Sequence, residues 1–218
     1  MSEINQVYII GAGGFGRELC SWLSQSVCSS LSWTIEGFFD DREDAQVGQY
    51  PVRSLAKAES MMLSSASGKL VFGIGDPKVK EKLFLSHFSA LRACFENVIH
   101  ASCVVGQRVV LGQGAVMCPH STLTCDISLG DFVMLNVGAT VGHDVEVGAF
   151  STLAPGVLVA GGAQLGKGVF VASNSVVAPG VKVGDYATIG AGSVVLRDVP
   201  AGATVFGAPA KQIAGFRK

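Results

Sequence analysis

Residues 134–165 read MLNVGATVGHDVEVGAFSTLAPGVLVAGGAQL, and every sixth residue along them, Leu135, Val141, Val147, Leu153, Val159 and Leu165, is apolar. The same step carries back through Ile99, Val105, Leu111, Met117, Leu123 and Leu129, and on through Val171, Val177, Val183, Ile189 and Val195, seventeen positions without a break. With 49% of the chain apolar, one chosen frame does this by chance about five times in a million. A glycine often follows, as at Gly106, Gly112, Gly130, Gly142, Gly148, Gly166, Gly184 and Gly190, where a turning chain uses a permissive backbone. Two places before stands a small residue, among them Ala115, Ser121, Ala139, Ser151, Ala163, Ser175, Ala187 and Ser193. Corners and short apolar sides at a period of six are the hexapeptide pattern of a parallel β-helix. Three hexapeptides make one triangular coil of 18 residues, so the run supplies between five and six coils, stacked about 4.8 Å apart.

Ahead of the repeat the pattern changes. Gln6 to Ile10 reads as a strand, Gly11 to Gly16 as a glycine-rich turn and Arg17 to Ser24 as a helix carrying Leu19, Cys20, Trp22 and Leu23. A strand follows at Thr34 to Phe39, then a loop at Asp40 to Asp44, a helical stretch near Ser54 to Leu63 and a strand at Lys69 to Ile74. Pro77 to Phe88 is helical again and Cys94 to Ile99 extended. Strands alternating with helices predict a small parallel sheet, a shortened Rossmann-like α/β domain over 1–97, with the β-helix over 98–218.

A net charge of −1 and the lack of any Lys/Arg cluster exclude a polyphosphate backbone as partner, so no nucleic acid is expected. Mean hydropathy is positive, at +0.44, yet no stretch approaches about 18 unbroken apolar residues, so no membrane span is expected either. The opening Met-Ser-Glu lacks a basic segment followed by an apolar one, which predicts a cytoplasmic protein. The six cysteines, Cys20, Cys28, Cys94, Cys103, Cys118 and Cys125, include no C-x-x-C pair and read as buried small hydrophobes.

Two motifs carry chemistry. Gly11-Ala12-Gly13-Gly14-Phe15-Gly16 fits G-x-G-x-x-G between a strand and a helix, and Asp40 follows 24 residues after the last glycine. Amides at a helix N-terminus can cradle a phosphate, leaving Asp40 or Asp41 for a ribose or base; the competing reading is a tight turn with no ligand. A full dinucleotide site needs a second mononucleotide-binding half, and here the β-helix begins instead, so a nucleotide fits better than a nicotinamide cofactor. The second motif is His143-Asp144, at a corner of the repeat, two residues past Val141. An imidazole there faces outward because the periodic residues fill the inside, and one coil later stand Gly161 and Gly162. A neutral imidazole can take a proton from an attacking amine or hydroxyl, Asp144 can orient it, and the Gly161 amide can receive an oxyanion. Against this stands a histidine that merely caps a surface turn. His100 and His120 read as structural or solvated.

The motifs Gly11 to Glu18, Gly37-Phe38-Phe39-Asp40-Asp41, Gly73-Ile74-Gly75-Asp76, Asn136 to Asp144 and Gly207-Ala208-Pro209-Ala210-Lys211 occur in one order. With them the chain resembles, over nearly all its length, the family of sialic acid O-acetyltransferases and bacterial nucleotide-sugar N-acetyltransferases. The resemblance implies a left-handed β-helix and a homotrimer with active sites between subunits, where acetyl-CoA donates acetyl to a UDP-, GDP- or dTDP-linked 4-amino-deoxysugar for surface polysaccharide such as O-antigen or for glycoprotein glycans. It implies His143 as base with Asp144 behind it, Gly161, Ser173 and Ala191 along the acetyl-CoA path, and no metal. It also implies that Gly11, Gly13, Gly14, Phe15, Arg17, Asp40, Asp41, Gly75 and Asn136 hold the nucleotide-sugar. The chain departs at Phe15, where many members carry His, and at Thr152, where some do and where a hydroxyl would meet the acetyl group.

Three other readings compete. O-acetylation of a sialic acid or related hydroxyl keeps the fold and changes the acceptor. A zinc enzyme on the same fold needs three converging histidines, whereas His100, His120 and His143 fall at different phases of the repeat. A non-enzymatic scaffold would bind no acetyl-CoA.

Overall fold

A chain that repeats every six residues closes into a triangle only if each side ends in a sharp change of direction, and the backbone supplies one at a fixed place. The computed structural model describes residues 5–25, 33–42, 46–64 and 68–213. From Val98 to Phe206, strands of two or three residues stack in parallel, one coil pairing with the next, as in Leu123 with Val141 and Val141 with Val159, and Lys211–Gln212 closes the end antiparallel. The turns fall in left-handed φ: Arg108 (55°), Asp126 (56°), Asp144 (59°) and Gly162 (71°) lie in successive coils at one edge, and Phe132, Phe150, Gly168 and Tyr186 at another. All but Asp126 and Gly162, which follow Thr124 and Ala160, lie two places after a glycine of the repeat. The glycines themselves meet a different need, which corrects the expectation that they turn the chain. A Cβ at Gly142 would come 2.7 Å from the Gly161 nitrogen, and one at Gly130 2.6 Å from that of Ala149. They let successive coils approach, and the residue two further on makes the turn.

The prism has three sides. An eight-stranded sheet, from Val98–Ile99 through Met134–Leu135 and Thr152–Leu153 to Lys211–Gln212, forms the docked side, so called because the N-terminal elements lie against it. A six-stranded sheet from Val104–Val105 to Val194–Val195 forms the apolar side. A five-stranded sheet from Val109–Leu111 to Lys182–Val183 forms the polar side. From Met117 to Val195 the sixth-residue series points inward, each member 3% exposed or less. At the open end Ile99 and Leu111 are half-buried and Val105 is 43% exposed, because no coil lies beneath the first. The small residues two places earlier are fully buried, and Ser151 Oγ joins two positions of the next coil by donating to Gly166 O and accepting from Val169 N.

In the N-terminal part β1 (Asn5–Ile10) pairs in parallel with β2 (Trp33–Asp40) on one side and with a strand at Gly68–Phe72 on the other. Two strands absent from the sequence reading, β3 (Gln46–Val47) and β4 (Tyr50–Ser54), extend the sheet beyond β2; the strand at Gly68–Phe72 is β5. Helix α1 (Gly14–Ser24) begins three residues earlier than expected, so the turn is shorter. A helix α2 (Ala58–Ser64) precedes β5, and α3 (Pro77–Leu83) follows it. The helix expected to run to Phe88 changes to a π turn at Phe84–Phe88 and a 3-10 stretch at Ser89–Cys94, so only Val98–Ile99 of the expected extended segment is a strand. Among the described cysteines, Cys20 and Cys118 are buried, whereas Cys94, Cys103 and Cys125 are half-exposed, which corrects the reading of all of them as buried; Cys28 lies outside the described residues, as do residues 43–45 of the expected loop.

The two parts share one core. Val98, Val116 and Met134 point outward from the docked side and are buried against Val7, Ile9 and Leu19. Beside them an aromatic cluster spans the seam, with Phe132 against Phe150 (5.0 Å), Phe95 (4.9 Å) and Phe84 (4.7 Å). No described helix is long and apolar enough to cross a membrane.

Candidate functional site

His143 stands at the edge between the apolar and polar sides, where the left-handed turn at Asp144 swings its side chain outward, 66% exposed. Stacked coils fix the backbone there: His143 O accepts from Gly162 N (2.8 Å), and Asp144 N donates to Cys125 O (3.2 Å). The ring's Nδ1 lies 2.7 Å from Asp144 Oδ2. With a carboxylate as partner Nδ1 carries the proton, so the Nε2 lone pair is free to accept one. The imidazole lies over the next coil, since a Cβ at Gly161 would sit 2.6 Å from Cε1 and Nε2. Among the described residues the Gly161 N–H has no acceptor. The base thus lies beside a glycine whose amide has no acceptor among the described residues.

One coil earlier on the same edge, Cys125 and Asp126 underlie His143 and Asp144. Arg108 grips Asp126 through two nitrogens, and its guanidinium with the Cys125 thiol holds that carboxyl down to about 2. The bond to Asp126 pushes the Cys125 thiol up. A thiol kept protonated is a poor nucleophile, which favours direct attack by the acceptor over an acyl-cysteine. His100 and His120 lie on the edge between the docked and apolar sides, away from His143.

The glycine turn is built as a cradle. Gly13 is the N-cap of α1 and offers no side-chain cap, and the space beside Gly13 and Gly14 is open. Gly16 and Gly11 are there for contact, since a Cβ on Gly16 would strike the Gly11 carbonyl. Asp40 is held within the chain. Its carboxylate accepts from Ala12 N (2.6 Å) and takes the Arg42 backbone N–H (3.1 Å) and guanidinium (2.9 and 3.1 Å), so it anchors the turn, with Asp41 exposed beside it. Burial opposes ionisation of Asp40, and the Arg42 guanidinium and the Ala12 N–H outweigh it, holding the carboxyl below the usual carboxylate range. Phe15 lies edge-on to Trp22 (6.3 Å), Arg17 is exposed on α1, and Gly75 lies against Met134.

One chain does not bring every candidate together. Asn136, Ser173 and Ala191 lie on the docked–apolar edge, the full width of the apolar side away from His143, Asp144 and Gly161. Thr152 is also placed elsewhere. It is 1% exposed beneath α3 on the docked side, where its hydroxyl accepts from Lys80 Nζ (3.0 Å), so it does not face an acetyl group. Lys80 escaped the sequence reading. In PKVKEKL nothing distinguishes it from Lys78 and Lys82, both exposed, and only its contacts across the seam set it apart. Burial pushes its amine down to about 7, with Asp76 opposing.

Residues 6–86 match the model for the PglD N-terminal domain, and residues 162–197 that for the bacterial transferase hexapeptide (six repeats). The chain is 30% identical to a histidine-to-asparagine variant of perosamine N-acetyltransferase from Caulobacter crescentus, solved with CoA and GDP-perosamine (TM-score 0.88, covering 99% of this chain and 100% of that one). It is 28% identical to the acetyltransferase domain of PglB from Neisseria gonorrhoeae FA1090, solved with acetyl coenzyme A (TM-score 0.84, covering 97% and 100%). GDP-perosamine N-acetyltransferase of Escherichia coli O157:H7 is 28% identical over 148 residues, 67% of this chain and 66% of that protein, so the match spans a little under two thirds of the relative.

Proposed function

Because the chain belongs to the hexapeptide-repeat family of nucleotide-sugar N-acetyltransferases, we propose that it moves acetyl from acetyl-CoA to the amino group of a nucleotide-linked 4-amino-deoxysugar, with His143 as general base. The observation that carries this reading is the pairing of His143 with Asp144 beside the unclaimed Gly161 amide. The neutral amine attacks the thioester carbonyl and passes a proton to Nε2, while Asp144 stabilises the imidazolium. The Gly161 N–H receives the oxyanion. When the intermediate collapses the C–S bond breaks, the CoA thiolate takes the proton back, and the products are the acetamido sugar and CoA.

The sides of the prism favour a homotrimer with shared sites. The docked side is covered and the polar side presents Ser128, Glu146, Gln164 and Lys182. The outward row of the apolar side is Val104, Thr122, Thr140, Leu158, Val176 and Val194, with Val104 60% and Leu158 42% exposed. A ring in which each copy's His143 edge meets the next copy's Asn136 edge buries that row and closes on itself. It would bring Asn136, Ser173 and Ala191 of one copy to the base of another, with acetyl-CoA between them and the nucleotide-sugar on Gly11, Gly13, Gly14 and Arg17. We place the reaction in the cytoplasm, where both substrates are made, and assign it to surface polysaccharide synthesis, O-antigen included.

The test is a screen of acetyl-CoA against UDP-, GDP- and dTDP-linked 4-amino sugars and against sialic acid, reading thiol release. Turnover with an amino sugar is expected; turnover with sialic acid alone would make this an O-acetyltransferase. Asp40→Asn should then raise the KM for the nucleotide-sugar about tenfold, the low end for a charge-assisted hydrogen bond, and leave that for acetyl-CoA unchanged.

A further inference from the structure

Lys80 is 1% exposed, yet no carboxylate hydrogen-bonds it. Its Nζ donates to Phe132 O (2.9 Å), Thr152 Oγ1 (3.0 Å) and, at the limit, Ser151 O (3.5 Å), groups from two successive turns of the prism. For stability alone an apolar side chain of that length would serve better, since a buried amine gives up its hydration. What the amine adds is direction: the Thr152 hydroxyl marks one height along the prism axis, because one coil on, about 4.8 Å away, the residue in register is Phe170, whose side chain has no acceptor. Glu81, the next residue, fastens the same helix to Lys167 and to Tyr186 OH (3.0 Å).

That height is passed on to the glycine turn. Asp76 caps α3 through Lys78 N and Val79 N, and directly before it lie Gly73 to Gly75. Gly75 rests on Met134 of the docked side. Gly73 lies so close to Gly16 that a Cβ on it would come 2.7 Å from the Gly16 Cα, and its N–H donates to Ile10 O (2.8 Å). A continuous run of tight contacts leads from Lys80 to the turn at Gly11 to Gly16.

We propose that Lys80 is a positioning residue for acetyl transfer: its hydrogen bonds to Phe132 and Thr152 set the height of the nucleotide-sugar turn over the coils, and so the reach of the bound sugar amine to the imidazole edge. The inference rests on the functional reading above. A displacement of about 1 Å in a reacting group can cost about a hundredfold, so a rivet of this kind matters for turnover beyond its share of stability.

The variants are Lys80→Met, which keeps the length and removes the donors, and Thr152→Val, which removes one acceptor. Each is assayed with the nucleotide-sugar and with hydroxylamine, a small nucleophile that needs no glycine turn. Lys80→Met should lower the nucleotide-sugar rate about 10- to 100-fold, hold the hydroxylamine rate within about twofold, and leave acetyl-CoA affinity unchanged. Thr152→Val should give a smaller loss of the same kind and add little in the Lys80→Met background, since both act through one contact. A merely structural lysine would lower both rates together, or lower only the melting temperature, and either result overturns the proposal. Amide exchange gives a readout that needs no turnover: the N–H groups of Gly11 to Arg17 should exchange faster in Lys80→Met. Faster exchange in a protein that acetylates no nucleotide-sugar would support the rivet and refute the functional reading; unchanged exchange refutes the rivet.

Discussion

His143→Ala should turn over two to four orders of magnitude more slowly than the parent, about the worth of a positioned general base, while binding acetyl-CoA with unchanged affinity. The expectation is specific because the residue does nothing for the fold. Its side chain is 66% exposed and makes one side-chain hydrogen bond, to the equally exposed Asp144, and its backbone bonds survive the substitution. Melting temperature should therefore move little. His143→Asn should be nearly as slow, since an amide cannot take the proton at the place of Nε2. Asp144→Asn should cost less, because the imidazole keeps its lone pair and loses only its orientation and the charge facing the imidazolium. Steady-state kinetics with calorimetry for acetyl-CoA decides the matter: unchanged turnover in His143→Ala removes the base assignment, and lost acetyl-CoA affinity would make His143 a binding residue.

The β-helix was legible because its signal is one-dimensional. The inner row recurs every six residues, and burial of each member from Met117 to Val195 follows from stacking alone. His143-Asp144 was legible for the same reason, since phase within the repeat puts residue 143 at a corner. What escaped depends on contacts the repeat does not encode. The roles of the glycines were misassigned because a residue that permits close approach and one that permits a turn look alike in sequence, and Phe132, Phe150 and Tyr186 show that the turning position accepts bulky side chains when they pack on neighbouring coils. Asp40 stands at the spacing of a ribose or base ligand, and its bonds to the Ala12 amide and to Arg42, a partner two residues away that any Asp-x-Arg could supply, are not marked by that spacing. Lys80 and Thr152 meet across 72 residues, and no local pattern marks such a pair.

The second large effect concerns assembly. Leu158→Asp should yield a folded monomer with turnover lowered at least a hundredfold, because the two halves of each site then belong to separate molecules. Leu158 points out of the prism at the middle of the apolar row, between Thr140 and Val176 on the adjacent coils, while its neighbour Val159 fills the inside. A carboxylate in its place costs an isolated chain little, since the position is 42% exposed there. In a closed ring the same position would be stripped of water in every copy, and a buried carboxylate without a cation is among the costliest groups to place at an interface. Fold and assembly are thus separated by one substitution on a surface residue. Size-exclusion chromatography with light scattering should report one third of the parent mass, circular dichroism should be unchanged, and acetyl transfer should be lost together with the larger species. Adding intact His143→Ala protein should restore nothing, since the Leu158→Asp chains that carry the base cannot enter its ring. A Leu158→Asp protein that stays trimeric and active would show that the apolar side does not join copies; one that becomes monomeric and keeps its turnover would show that His143, Gly161 and the glycine turn of a single chain suffice.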